Sequence, residues 1–169
     1  LDKVWRILID SALEQPKVCV HRDYHCRNLM VTDHKNPGVL DFQDAVAGPI
    51  TYDLASLLRD CYIAWPEDRV YEWVEDFRVT LQHANVSENL PDAVRFRRWF
   101  DLMGMQRHLK AAGIFARLKL RDGKPGYIKD IPRTLGYVVT AGRNYPELVA
   151  FADFIEQSVL PGVGGELTA

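Results

Sequence analysis

A mainly helical α+β fold is what this sequence predicts, and three observations predict it. Beyond Pro49 the apolar residues recur at helical spacing almost to the end of the chain. Ahead of them, two short apolar runs, Leu29-Met30-Val31 and Gly38-Val39-Leu40, flank a turn-forming segment and read as a small central β-hairpin. A dense polar stretch, His21 to Asn28, sits just before the first run, and Asp41-Phe42 just after the second. Loops at the ends of short strands hold side chains still while helices supply the core.

Taken in order, Trp5, Ile7, Leu8, Ile9 and Leu13 make a largely apolar first helix over 1–15, which Pro16 ends. Val18-Cys19-Val20 reads as a buried strand fragment, and the loop and hairpin occupy 18–48. A helical subdomain follows over 51–160. Thr51 is placed to cap a helix carrying Leu54, Ala55, Leu57, Leu58 and Cys61. A second helix runs from about Glu67 to Ala84, burying Val70, Trp73, Val74 and Phe77. A long one runs from about Asp92 to Ala112, with Gly113 either ending it or altering its continuation to Leu120. The turn Asp122-Gly123-Lys124-Pro125-Gly126 breaks the pattern before two last helices near Ile131–Ala141 and Tyr145–Val159.

Composition narrows the function. At 169 residues the chain buries one respectable core and reads as one domain. A hydrophobic content of 47%, a charged content of 26% and a net charge of −2 describe an ordinary globule, with no basic stripe for nucleic acid. No apolar run approaches a membrane span. The start, Leu1-Asp2-Lys3, shows no signal peptide, and a helix already under way there fits a chain cut from a longer protein. Cys19, Cys26 and Cys61 lack C-x-x-C spacing, so free thiols in a reducing cytoplasm are expected.

The chemistry lies in the loop. Asp23 precedes Asn28 by five residues, and Asp41 follows Asn28 by thirteen, the span of a short hairpin. A magnesium ion wants hard oxygen ligands, which the Asn28 amide and the Asp41 carboxylate offer, leaving other positions to ATP phosphates and water. Asp23 is then free to orient or deprotonate an acceptor hydroxyl. Asp44 is a further candidate ligand, directly, through water, or by fixing Gln43. Arg27 and His25 face either the incoming phosphate or the acceptor. Arg27 is the better electrostatic candidate, with a solvated Arg27 as the alternative. His21 reads as a hydrogen-bonding brace, Arg22 as the partner of a loop carboxylate, and Asp53 as a helix-start carboxylate that accepts free N–H groups or braces the loop. Arg107, His108 and Lys110 form a basic cluster on the long helix, fit either to hold an acceptor or to face solvent. No glycine-rich phosphate loop precedes the motif, and no lysine is suited to grip a nucleotide from above.

His21-Arg22-Asp23, Asn28 and Asp41-Phe42 resemble the protein-kinase pattern H-R-D-x-x-x-x-N followed by D-F-G, with Gln43 in place of the glycine. Only Asp44 to Ile50 separates that segment from the next predicted helix, which leaves no room for an activation loop and points to a small acceptor. The closer resemblance is to the aminoglycoside phosphotransferase-like superfamily. Within it, His21 to Met30, Asp41 to Ala45, Gly48 to Ala55, Met105 to Lys110 and Gly113-Ile114-Phe115 look like the version in bacterial anomeric kinases for N-acetylmuramate and N-acetylglucosamine. The resemblance covers nearly the whole chain as a protein-kinase-like C-terminal lobe, with the N-terminal lobe absent. It implies Asp23 as base, Asn28 and Asp41 on magnesium, ATP as donor, a sugar acceptor, and an N-terminal nucleotide-binding lobe as the missing partner. The product would feed recovery of cell-wall sugars. Choline, homoserine, methylthioribose and aminoglycoside kinases are neighbouring alternatives. A noncatalytic kinase-like binding protein is a different one.

Overall fold

The computed structural model describes residues 1–60 and 63–164. Cys61, expected on the helix after Thr51, lies outside them. The chain forms two compact units, one of Asp10–Met103 and one of Leu1–Ile9 with Gly104–Ala169. Their shared helices are α1 (Asp2–Leu13) and α4 (Ala93–Leu120). Among the described residues, no helix is long and apolar enough to cross a membrane.

The 10–103 unit carries two antiparallel ribbons. The predicted hairpin is there, as β2 (Leu29–Met30) on β3 (Gly38–Val39), with Leu29 opposite Val39 and Met30 opposite Gly38. The predicted strand fragment is β1 (Lys17–Val20), of which only Val20 is fully buried. Its partner, β4 (Val46–Pro49), lies in a stretch the sequence reading leaves without a strand. Gly48 fits closely against β1, since a Cβ there would stand 3.1 Å from Val20 Cγ2.

Helices α2 (Tyr52–Leu58) and α3 (Glu67–His83) follow. Ile50, Ala55, Leu58, Val70, Val74, Phe96, Trp99 and Phe100 form the core of this unit, with Trp73 and Phe77 packed against it partly buried. Rings of Phe77, Phe96 and Trp99 pack in series, tilted against one another with centroids 6.4 and 6.2 Å apart. Thr51 does not cap α2 through its side chain. Its hydroxyl, fully buried, instead donates to Gln15 Oε1 at 2.7 Å, which joins the end of α1 to the start of α2. A buried hydroxyl proton must find an acceptor, which the glutamine carbonyl oxygen supplies and the donor N–H groups at the helix start cannot. The first helix buries less than its composition suggests: Leu8 is buried, but Trp5, Ile9 and Leu13 are exposed.

In the other unit, α5 (Ile131–Arg143) buries Ile131, Leu135, Val138 and Val139 on one face. Its Gly142 allows close approach, because a Cβ there would lie 3.2 Å from the Ala152 Cβ. The second predicted terminal helix is broken into α6 (Val149–Phe154), a π-helical turn over Ile155–Val159 and α7 (Leu160–Gly164).

Candidate phosphoryl-transfer loop

Two ribbons set the loop from opposite ends. β1 ends at Val20, which pairs with Val46, the first residue of β4. β2 and β3 pair at the other end, and the Leu40 N–H extends that ladder by donating to the Asn28 carbonyl at 2.9 Å. Residues 21–28 and 40–45 are thereby forced to run side by side. The His21 ring ties them together, with Nε2 2.8 Å from the Leu40 carbonyl oxygen. Asp41 thus follows directly on the residue bonded to Asn28.

Within the loop, the Asn28 side-chain amide donates to the Asp23 carbonyl at 2.9 Å. This bond occupies the amide nitrogen and turns the other end of the group, its oxygen, away as an acceptor. A three-residue 3₁₀ turn over Cys26–Asn28 shortens the path between Asp23 and Asn28. Asp23 and Asp41 are exposed. One Asp41 oxygen, Oδ1, accepts from Gln43 Nε2 at 2.6 Å, so the residue that replaces the kinase glycine steadies the neighbouring carboxylate. Asn28 and Asp41 present hard oxygens, the donor type that suits magnesium. Asp44 and Arg27 are exposed, and His25 is half-buried.

Asp53, the second residue of α2, accepts backbone N–H bonds from His21 at 2.6 Å and Arg22 at 3.0 Å. Arg22 has φ +79°, in the left-handed region that a side chain disfavours, and Asp41 has φ +64°. Charge-assisted bonds from consecutive N–H groups to one carboxylate help to hold the loop in that conformation. The Arg22 guanidinium approaches the Asp44 backbone carbonyl at 3.5 Å.

A residue outside the predicted set also reaches the loop. Asp60, buried just past the end of α2, accepts from the Cys26 backbone N–H at 3.3 Å. Burial and then the hydrogen bond to Asp60 push the Cys26 thiol above its ordinary range, so it stays protonated at neutral pH. The only sequence signal for Asp60 is its spacing of seven from Asp53, two helical turns along one face.

The long-helix residues separate. On α4, positions 107 and 110 share a face and position 108 turns from it. His108 is buried and stacks on Tyr137 at 4.7 Å, whereas Lys110 is exposed. A cavity of about 490 Å³ beside the loop is walled chiefly by apolar side chains, among them Val18, Leu54, Phe77 and Leu81. Its lining includes Tyr24 and Asp53 but not Asp23, Asn28 or Asp41.

The chain is similar to three curated N-acetylmuramate/N-acetylglucosamine kinases over most of its length. Identity is 49% to that of Pseudomonas putida over 92% of this chain and 45% of the relative. It is 50% to that of Neisseria meningitidis serogroup B, over 86% and 44%, and 30% to that of Caulobacter vibrioides, over 81% and 37%. The chain therefore spans about half the length, or less, of these relatives. Residues 1–96, which include both ribbons, the loop and its Asp53 brace, match the model of the phosphotransferase enzyme family. The chain belongs to that family.

Proposed function

We propose that this chain is the C-terminal catalytic lobe of an ATP- and magnesium-dependent kinase that phosphorylates the anomeric hydroxyl of N-acetylmuramate and N-acetylglucosamine, in cytoplasmic recycling of cell-wall sugars. One observation carries the reading: the paired loops place Asp41 beside the bond that joins Leu40 to Asn28, with Asp23 held five residues upstream by the Asn28 amide. The sugar specificity draws on the relatives of that name, which match this chain at about half identity.

In this reading Asn28 and Asp41 hold magnesium, with Asp44 in support, and the ion supplies charge neutralisation to the nucleotide phosphates. Asp23 accepts the proton of the sugar's anomeric hydroxyl as that oxygen bonds to the γ-phosphorus and the β–γ bridging bond breaks. Arg27 and His25, on the same loop, balance negative charge on the transferring oxygens. His21, Arg22 and Asp53 keep the loop in place.

The test is a panel of acceptors with magnesium ATP, using the chain joined to an N-terminal nucleotide-binding lobe. The panel includes both amino sugars, choline, homoserine, methylthioribose and an aminoglycoside, with products identified by phosphorus NMR. Phosphate on the anomeric oxygen of the amino sugars is expected, and Asp23→Ala should lower kcat by roughly 10²–10⁴-fold. Selective phosphorylation of a cationic acceptor would overturn the sugar assignment.

A further inference from the structure

Asp53 is not the only carboxylate that the α2 segment directs at the loop. Asp60 follows it by seven residues and is 4% exposed. Asp53 takes the backbone N–H groups of His21 and Arg22, ahead of Asp23, while Asp60 takes that of Cys26, between Asp23 and Asn28. We propose that Asp60 is a positioning residue for phosphoryl transfer, the second of two clamps that fix the loop on either side of Asp23.

The surroundings of Asp60 show how it is itself kept in place. Its neighbour Arg59 is 8% exposed and makes a two-pronged ion pair with Glu67 at the start of α3, at 2.6 and 2.7 Å. Burial alone would push the Arg59 guanidinium down, but Glu67 together with Tyr71 and Asp101 more than offsets it and holds it above its ordinary range. Arg59 also contacts the Tyr71 hydroxyl, which donates to the buried Asp101 on α4 at 3.0 Å. This chain of bonds ties the segment after α2 to α3 and α4. The pair joins a buried guanidinium to an exposed carboxylate, so it adds little net stability, yet its two-pronged form specifies geometry. Here the geometry specified is that of Asp60, and through it the 3₁₀ turn that carries Asn28. A small displacement of a reacting group is enough to cost a large factor in rate.

Three variants in the protein used for the acceptor panel test the assignment. Asp60→Asn keeps an oxygen acceptor in place, Asp60→Glu keeps the charge but moves the acceptor, and Asp60→Ala removes both. The expected order of kcat is wild type, then Asn close to it, then Glu and Ala lower by about tenfold or more, with KM for ATP unchanged. Amide hydrogen exchange at Cys26 should accelerate in the Glu and Ala variants, while amides of the core residues Val70, Val74 and Phe96 stay protected. A role in general stability would instead loosen those core amides and rank Glu above Asn. That ranking, or unchanged exchange at Cys26 in a folded Ala or Glu variant, would overturn the proposal. The kinetic arm rests on the phosphotransfer reading and the exchange arm does not. Absence of turnover in the wild type would therefore sink that reading, and only the exchange result would then decide the clamp.

Discussion

Arg22 and Asp41 both hold left-handed backbone conformations, at φ +79° and +64°, on the two segments that run side by side. Non-glycine residues tolerate that region at a cost, and such residues concentrate where function requires a particular direction of the chain. At Arg22 the turn aims two successive N–H groups at the Asp53 carboxylate. The strain can be isolated by comparing Arg22→Gly with Arg22→Ala. Both lose the side chain, but only alanine keeps the Cβ that disfavours positive φ. The glycine variant should be more stable than the alanine variant by about 1 kcal/mol in urea denaturation. Equal stability would mean that the loop relaxes out of this conformation. The candidate trio at positions 23, 28 and 41 stands out in the sequence because the proposed chemistry needs two acids and an amide at short spacing. The role of Asp60 does not, because its partner Cys26 lies 34 residues away and nothing local links them.

Among the elements, β2 and β3 could be read from sequence because apolar triplets flank a turn of polar residues and proline, and the strands that pair are neighbours in the chain. β4 could not. Val46-Ala47-Gly48-Pro49 holds two residues that weaken a strand, and its partner β1 is separated from it by the whole loop and hairpin. Gly48 has a positive reason to be there, since its position opposite Val18 brings it close to the Val20 side chain. Gly48→Val should overpack that ribbon and destabilise the protein by about 1–3 kcal/mol, measured by thermal and urea unfolding. Another element-level contact gives a pH signature. Glu14, just after α1, meets Arg95 at 2.7 Å and accepts from the Trp99 indole, both on α4. Burial raises its pKa, but the hydrogen bonds and the positive charge of Arg95 and Arg98 outweigh this, and the carboxyl sits below its ordinary range. A depressed folded-state pKa contributes stability above the unfolded-state pKa, and that contribution is lost as pH falls through the folded value. Wild-type melting temperature should therefore drop on acidification below the usual carboxylate range. Glu14→Gln should start lower at neutral pH and show a shallower acid decline. Parallel acid limbs for the two proteins would show that the pair does not stabilise the fold.

At the scale of the whole molecule, the helical class was legible from periodicity alone, whereas the π-helical turn at Ile155–Val159 was not, because no glycine or proline in that segment signals a change of helix type. What periodicity also does not reveal is which apolar residues stay uncovered. On and next to the hairpin, Met30, Val31, Val39, Leu40 and Phe42 are exposed, Val31 at 94% and Phe42 at 68%. A nucleotide base gains affinity when apolar surfaces enclose it, since small-molecule sites bury most of their ligand. The hairpin supplies such a surface on one side only, and the polar loop next to it offers oxygens for a metal. No glycine-rich phosphate loop or suitably placed lysine precedes it in the sequence. The chain by itself should consequently show negligible ATP turnover with either amino sugar. Joined to a nucleotide-covering lobe, it should gain turnover by orders of magnitude, with Val31 and Phe42 becoming protected from hydroxyl-radical labelling. Turnover by the chain alone that matches the joined protein would show that residues 1–169 already bind and orient the nucleotide, and would remove the lobe from the proposal.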